Sequence, residues 1–258
     1  MSAATSDAFV ERFVEADGFR IRYLEGGEGD PLVMLHGGGG LDTEFDESHE
    51  MLARGFRVIA LEMPGWGETP NDRTQSFHEL ARTIVAAVDA IGLTRFRLFA
   101  TSIGTAVSLW IAVDHPDRVI AHVLESPAAF RQDARRSEGP PDAATFNWNP
   151  AKRRERALEP RKGAFMMKLA ADPTDEPLAA AMPGCPVPTL VIFGRHDGMF
   201  SPENGAHYTS RLPDCRVVVF EAAAHDLKGD RPQAVTEVVR AFLADPATAL
   251  PDVVAADS

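Results

Sequence analysis

The chain has 258 residues, 45% of them hydrophobic and 25% charged, an ordinary globular balance. With 26 Lys and Arg against 38 Asp and Glu, the formal charge is −12. That excludes the basic footprint on which general nucleic-acid binding depends. Two cysteines, Cys185 and Cys215, cannot make a disulfide framework or a structural zinc site, and they fit a reducing cytoplasm. Met1 to Phe13 shows no basic stretch followed by an apolar run, so no signal peptide is expected. No run approaches the roughly 20 apolar residues needed to span a bilayer, so no membrane partner is expected either.

In chain order, Phe9 to Val14 and Phe19 to Leu24 alternate as an antiparallel hairpin would, with Asp17-Gly18 as its turn. Short apolar runs follow at Pro31 to Leu35, Arg57 to Leu61, Phe96 to Ala100, Val119 to Leu124, Thr189 to Phe193 and Arg216 to Phe220. Runs of this kind suit strands covered on both faces, as in parallel sheets. Helical spacing lies between them at Phe77 to Ile91, Ser102 to Val113 and Pro232 to Leu243. The alternation predicts an α/β fold with a mostly parallel eight-stranded sheet and helices on both faces. Residues 127–183 break the rhythm with Gly139-Pro140-Pro141, Asn149-Pro150 and no strong strand. They read as an insertion into a core formed by 1–126 and 184–258. The Pro-containing stretch 245–258 reads as a frayed tail.

Four segments carry chemistry. In Phe99-Ala100-Thr101-Ser102-Ile103-Gly104 a strand ends, a serine follows and a helix begins at once. A nucleophilic serine on such an elbow needs small residues two before and two after, here Ala100 and Gly104. The competing reading makes Ser102 a helix cap. Leu35-His36-Gly37-Gly38-Gly39-Gly40 follows a strand. Backbone amides on such a loop can approach a developing oxyanion, or the loop is a plain surface turn. No Gly-Lys-Ser/Thr follows it, which excludes a phosphate loop. A dinucleotide loop would have to open a helix at once, which Leu41-Asp42-Thr43 does not announce. Asp197 in Gly194-Arg195-His196-Asp197-Gly198 lies just past a strand, placed either to orient a histidine or to serve a turn. His225 lies between the last strand and the last helix. The order Ser102, Asp197, His225, each after a predicted strand and with a glycine-rich loop upstream, is the arrangement described for α/β-hydrolases.

On these residues the chain resembles the α/β-hydrolase superfamily from about Gly18 to Pro127 and from about Pro186 to Leu243. Glu62-Met63-Pro64-Gly65-Trp66-Gly67-Glu68-Thr69 resembles that family's D-x-P-G-x-G-x-S loop, with Glu62 for the usual Asp. The resemblance implies Ser102 as nucleophile, His225 as general base and then acid, Asp197 as orienting carboxylate, and the amides of Gly38 and Ile103 as oxyanion hole. It places a cap at 127–183 and requires no metal or organic cofactor. Glu125 competes with Asp197, because members resembling haloalkane dehalogenases and a fungal lactonase carry the acid at the end of that strand. Otherwise Glu125 lines the pocket, together with Gly39, Phe130, Trp148, Phe165 and Met199. Phe146, Met166 and Met167 either roof that pocket or form the cap's own small core. Between Arg131 and Lys168 ten Lys or Arg face five acids, an excess that solvated helix faces explain and that a substrate carboxylate would also suit.

These features predict a serine hydrolase of esterase or lactonase type acting on a small molecule. One alternative is a carbon–carbon bond hydrolase resembling the meta-cleavage product hydrolases. Thr105, and Asp226-Leu227-Lys228 after the histidine, depart from that pattern. Dehalogenase and epoxide hydrolase readings require an aspartate where Ser102 stands. A hydroxynitrile lyase, a cofactor-free oxygenase, a non-catalytic ligand binder on the same fold and a homo-oligomer all stay open.

Overall fold

The computed structural model describes residues 8–130, 142–153 and 159–256. Asp17 (φ 47°) and Gly18 (φ 72°) both take left-handed backbone, as a two-residue hairpin turn requires. The turn joins β1 (Phe9–Ala16) to β2 (Phe19–Gly26) in the register Ala16↔Phe19. Then come β3 (Pro31–Leu35), helices α1 (Leu41–Glu44) and α2 (Glu47–Ala53), β4 (Arg57–Leu61) and α3 (Phe77–Ile91). The chain continues through β5 (Phe96–Thr101), α4 (Gly104–Asp114) and β6 (Val119–Glu125). Three short helices follow, α5 (Ala143–Phe146), α6 (Pro160–Leu169) and α7 (Glu176–Ala181). It closes with β7 (Thr189–Gly194), α8 (Gly205–Thr209), β8 (Cys215–Phe220), α9 (Leu227–Asp230), α10 (Pro232–Ala244) and β9 (Val253–Val254).

The strands form one sheet in the order β1-β2-β4-β3-β5-β6-β7-β8-β9. The β1–β2 and β2–β4 pairs are antiparallel and all other pairs are parallel. Successive side chains of the central strands enter opposite cores, as a period of two demands. Val33, Leu35, Ile59, Leu61, Val191 and Phe193 pack on one face with α3 and α4. Leu32, Met34, Val58, Ala60, Leu190 and Ile192 pack on the other with α2 and α10. Helix α3 is capped by the Ser76 hydroxyl, which accepts from Glu79 N, and ends at left-handed Gly92. It buries Phe77, Leu80, Ile84 and Val88, each such side chain stabilising by about 1.5–3 kcal/mol.

Three expectations need correction. The tail is not frayed throughout, because Val253 and Val254 pair with Val219 and Phe220 as a ninth strand. A helical turn, α1, does open directly after Gly40. Helix α4 starts at Gly104 rather than at Ser102, which sits outside it with φ 49°. Between β6 and β7 the described residues hold α5 to α7 and one isolated bridge, Phe130↔Thr174.

Candidate active site

Parallel strands bring their carboxyl ends to one edge of the sheet, and ligands of open α/β sheets bind there. The loops after β3, β5, β7 and β8 therefore meet. Ser102 leaves β5 in a strained left-handed conformation that lifts its side chain out of the sheet. Its amide donates to Glu125 O at 2.8 Å, and its carbonyl accepts from Thr105 N (3.0 Å) and Ala128 N (3.3 Å). The turn closes only because Gly104 has no side chain, since a Cβ there would lie 2.4 Å from His36 O. Ala100 is fully buried in β5, where its methyl group is accommodated. Thr105 is held by its hydroxyl, which accepts from Ala128 N at 3.1 Å.

Ser102 Oγ lies 3.0 Å from His225 Nε2, and His225 Nδ1 lies 3.0 Å from Asp197 Oδ2. The other Asp197 oxygen accepts from Met199 N (2.7 Å) and Phe200 N (2.9 Å). The β7 and β8 loops come this close because a Cβ on Gly194 would lie 2.2 Å from Ala224 O. Asp197 is fully buried, and burial alone would raise its carboxyl. The charge and hydrogen bond of His225, with the two amides, outweigh burial and hold it below the ordinary carboxylate value. Burial likewise pushes the His225 imidazole down, and the charge and hydrogen bond of Asp197, with the charges of Glu125 and Glu44, outweigh it, so the imidazole titrates above its ordinary value. Phe146 and Phe200 stand with ring centroids 5.9 Å from the imidazole.

Gly38 and Ile103 offer amides that have no acceptor among the described residues. Trp66 Nε1 donates to Gly38 O at 3.0 Å. His36 Nε2 accepts from Met63 N, so its Nδ1 carries the hydrogen and donates to Gly37 O at 2.7 Å. Burial lowers the His36 imidazole, which keeps it neutral in this role. Met166 of α6 reaches over the loop, its Sδ 3.1 Å from where a Gly38 Cβ would stand.

Glu125 is not placed to orient His225. It is fully buried at the end of β6, where it accepts from Thr101 Oγ1 (2.7 Å), Lys228 Nζ (2.6 Å) and Lys228 N (3.0 Å). Burial pushes the Lys228 ammonium down, but the negative charges of Glu125, Asp46, Asp226 and Glu44 together outweigh it and hold it above its ordinary value. The residues expected to line a pocket lie in different surroundings. Phe130 belongs to the core, packed on Tyr208 and His207. Trp148 is exposed and stacks on His196 at 3.7 Å. Phe165 is buried against Trp66 at 5.3 Å. Met199 is partly buried beside Asp197, and the amide of Gly39 is taken by Glu44. Of the basic insertion, Lys152, Arg153, Arg161 and Lys168 are exposed, whereas Arg131, Arg135, Arg136, Arg154 and Arg156 lie outside the described residues.

Sequence reasoning missed three residues that build the site. Ser126 (φ 44°) donates its hydroxyl to His225 O at 3.0 Å. Asp230 accepts from Ala224 N, Trp148 N and Asn149 N, tying the histidine loop to the stretch after α5. Glu44 accepts from Gly37 N and Gly39 N. None of the three gives a signal in the sequence, unlike Glu125, an acid closing an apolar strand, which has to find a partner when buried. Among the described residues no three His, Cys, Asp or Glu side chains gather as a metal site would need. No described helix is long and apolar enough to cross a membrane.

The sheet, the strained serine after β5 and the loops gathered at its carboxyl edge define an α/β protein of the hydrolase architecture. A family model for the alpha/beta hydrolase fold matches residues 30–162, just over half of the chain, and the chain belongs to that family. Over 137 residues it is 36% identical to a 2-hydroxy-6-oxo-6-(2'-aminophenyl)hexa-2,4-dienoic acid hydrolase of Metapseudomonas resinovorans. That match covers 50% of this chain and 47% of the relative, so the chain spans about half of that protein's length. Among solved structures it is similar to a 2-hydroxy-6-oxo-6-phenylhexa-2,4-dienoate hydrolase of Rhodococcus sp. (TM-score 0.78, 19% identity, 92% and 99% of the two chains covered). It is also similar to a thermophilic esterase of Thermogutta terrifontis (TM-score 0.76, 22% identity, 93% and 100% covered). At these identities the two structures speak for the fold alone.

Proposed function

We propose that the protein is a serine hydrolase that cleaves a small carboxylic ester or lactone through an acyl-enzyme. The observation that supports this reading is the unbroken hydrogen-bonded line from Ser102 through His225 to Asp197, beside the uncommitted amides of Gly38 and Ile103. His225 Nε2 takes the hydroxyl proton as Ser102 Oγ bonds to the substrate carbonyl carbon. The oxyanion forms between the Gly38 and Ile103 amides, where one such donor is worth about 2.7–4 kcal/mol of barrier. His225 then returns the proton to the leaving oxygen as the carbon–oxygen bond breaks. A water deprotonated by His225 attacks the acyl-enzyme, releases the acid and restores the Ser102 hydroxyl. The Asp197 carboxylate holds the imidazole tautomer and offsets its charge. Residues 127–183 act as a cap, with Phe146 and Met166 forming an apolar lining near the reacting centre.

A fluorophosphonate probe and nitrophenyl esters test the reading. Wild type should label once per chain and turn over the esters, and Ser102→Ala should do neither. A wild type that neither labels nor turns over would make this a ligand-binding protein on a hydrolase fold. A second reading, hydrolysis of a carbon–carbon bond beside a ketone, is favoured by the 36% identity to the dienoic acid hydrolase. It is distinguished by a coloured 2-hydroxy-6-oxo-dienoate, which should bleach faster than the esters react if that reading holds.

A further inference from the structure

We infer that Glu44 is the positioning residue of the oxyanion loop, acting through the backbone to aim the Gly38 amide; this rests on the serine hydrolase reading above. Helix α1 turns the chain back immediately after the glycines, with Thr43 N and Glu44 N both donating to Gly40 O. Glu44 is thereby returned over the loop. Its Oε2 accepts from Gly37 N at 2.5 Å and its Oε1 from Gly39 N at 2.9 Å. The two amides flanking Gly38 are thus fixed by the two oxygens of one carboxylate. The Gly40 amide turns inward to Gly37 O at 3.4 Å. Of the four glycine amides, only that of Gly38 has no acceptor among the described residues.

The glycines fit this carboxylate sterically. A Cβ on Gly37 would lie 2.9 Å from Glu44 Oε1 and 3.0 Å from Ser102 Cβ, and a Cβ on Gly39 would lie 3.0 Å from Glu44 Oε1. Side chains at either position would push the carboxylate off the amides. Glu44 is half-buried and has no basic side chain within salt-bridge distance among the described residues. Its two backbone donors are therefore what holds it, and hydrogen bonds to a charged acceptor are the strong kind. The charge itself acts both ways, since a carboxylate near Ser102 opposes a developing oxyanion and favours the His225 imidazolium that forms with it.

Glu44→Gln keeps the size but offers one acceptor oxygen, so one flanking amide is released. The expected result is a loss of about 10- to 100-fold in kcat, short of the ~10²–10³ that follows removal of an oxyanion donor. KM should stay within about threefold, the signature of an interaction realised in the transition state. Phenylboronic acid reports the same quantity without turnover, because the Ser102 oxygen adds to boron, His225 takes the proton and the tetrahedral adduct places an oxygen in the hole. Its Kd should weaken in the proportion that kcat/KM falls, with the melting temperature unchanged. Glu44→Asp, too short to reach both amides, should repeat the pattern. An unchanged or raised kcat in either folded variant overturns the inference, as does a rise in KM alone. So does a variant that loses folding and Ser102 labelling together, which would make Glu44 a purely structural residue. The serine hydrolase reading fails separately, through a wild type inert to the fluorophosphonate.

Discussion

Asp197 and His225 are both buried, and in each their mutual attraction, helped by the Met199 and Phe200 amides on Asp197 and by the charges of Glu125 and Glu44 on His225, outweighs the penalty of burial. The carboxyl is depressed, so its contribution to stability is present above its ordinary value of 3.8 and is lost as pH falls through the lower folded value. The imidazole is raised, so its contribution is complete below 6.5 and is lost as pH rises through the higher folded value. The pair is therefore tightest in mildly acidic solution, where the imidazole is charged and useless as a base. The acid limb of kcat/KM for a nitrophenyl ester should inflect above 6.5. Asp197→Asn should move that limb down and lower kcat by a factor of order 10⁴, as loss of the orienting carboxylate does in serine proteases. Glu125→Gln should lower the limb much less than Asp197→Asn, because that carboxylate is hydrogen-bonded to Lys228 and Thr101 and acts on the imidazole only through its charge. The opposite ranking of the two variants would transfer the orienting role to Glu125.

Between elements, the Glu125–Lys228 pair ties the end of β6 to α9, directly beneath the serine turn. Both side chains are almost wholly buried, at 0% and 3% exposure. Removing one partner of such a pair leaves a bare charge in the interior, at about 3–5 kcal/mol. Lys228→Met should lower the free energy of urea unfolding by about that much, and adding Glu125→Met should recover part of the loss. Strictly additive losses in the double variant would show that the two groups are not coupled. This pair also marks where sequence reading stops. The acid could be seen at the end of an apolar run, but nothing in Asp226-Leu227-Lys228 announces that a lysine folds inward to meet it. The serine turn was legible for a local reason, since Ala100 and Gly104 must be small around Ser102. The triad order was legible because each member follows its own apolar strand. Glu44, Ser126 and Asp230 were not, because each acts on backbone groups brought near by other elements, and a backbone amide leaves no mark in a side-chain pattern.

At the scale of the molecule, six of the strands were legible as continuous apolar runs because parallel strands covered on both faces have no polar alternation. The hairpin was legible from its Asp-Gly turn. Strand β9 has neither signal. Two valines in a stretch rich in Asp, Ala and Pro become a strand only because β8 offers an open edge. Val219 N donates to Asp252 O and Glu221 N to Val254 O, at 2.9 and 3.0 Å, and Val254 is 8% exposed. Ending the chain after Leu250 removes these contacts and makes β8 an edge strand. Water can satisfy the released amides, so the main loss is the burial of Val254, about 1.5–3 kcal/mol at most. The urea midpoint should fall accordingly with an almost unchanged slope. Ester turnover at 25 °C should stay within about twofold, since Ser102, Asp197 and His225 are carried by β5, β7 and β8, which remain paired with one another or with β6. A large loss of turnover at full folding would mean that the ninth strand positions the histidine loop, through Arg231, whose Nη1 donates to Glu221 O at 2.8 Å and Nη2 to Ala255 O at 3.0 Å.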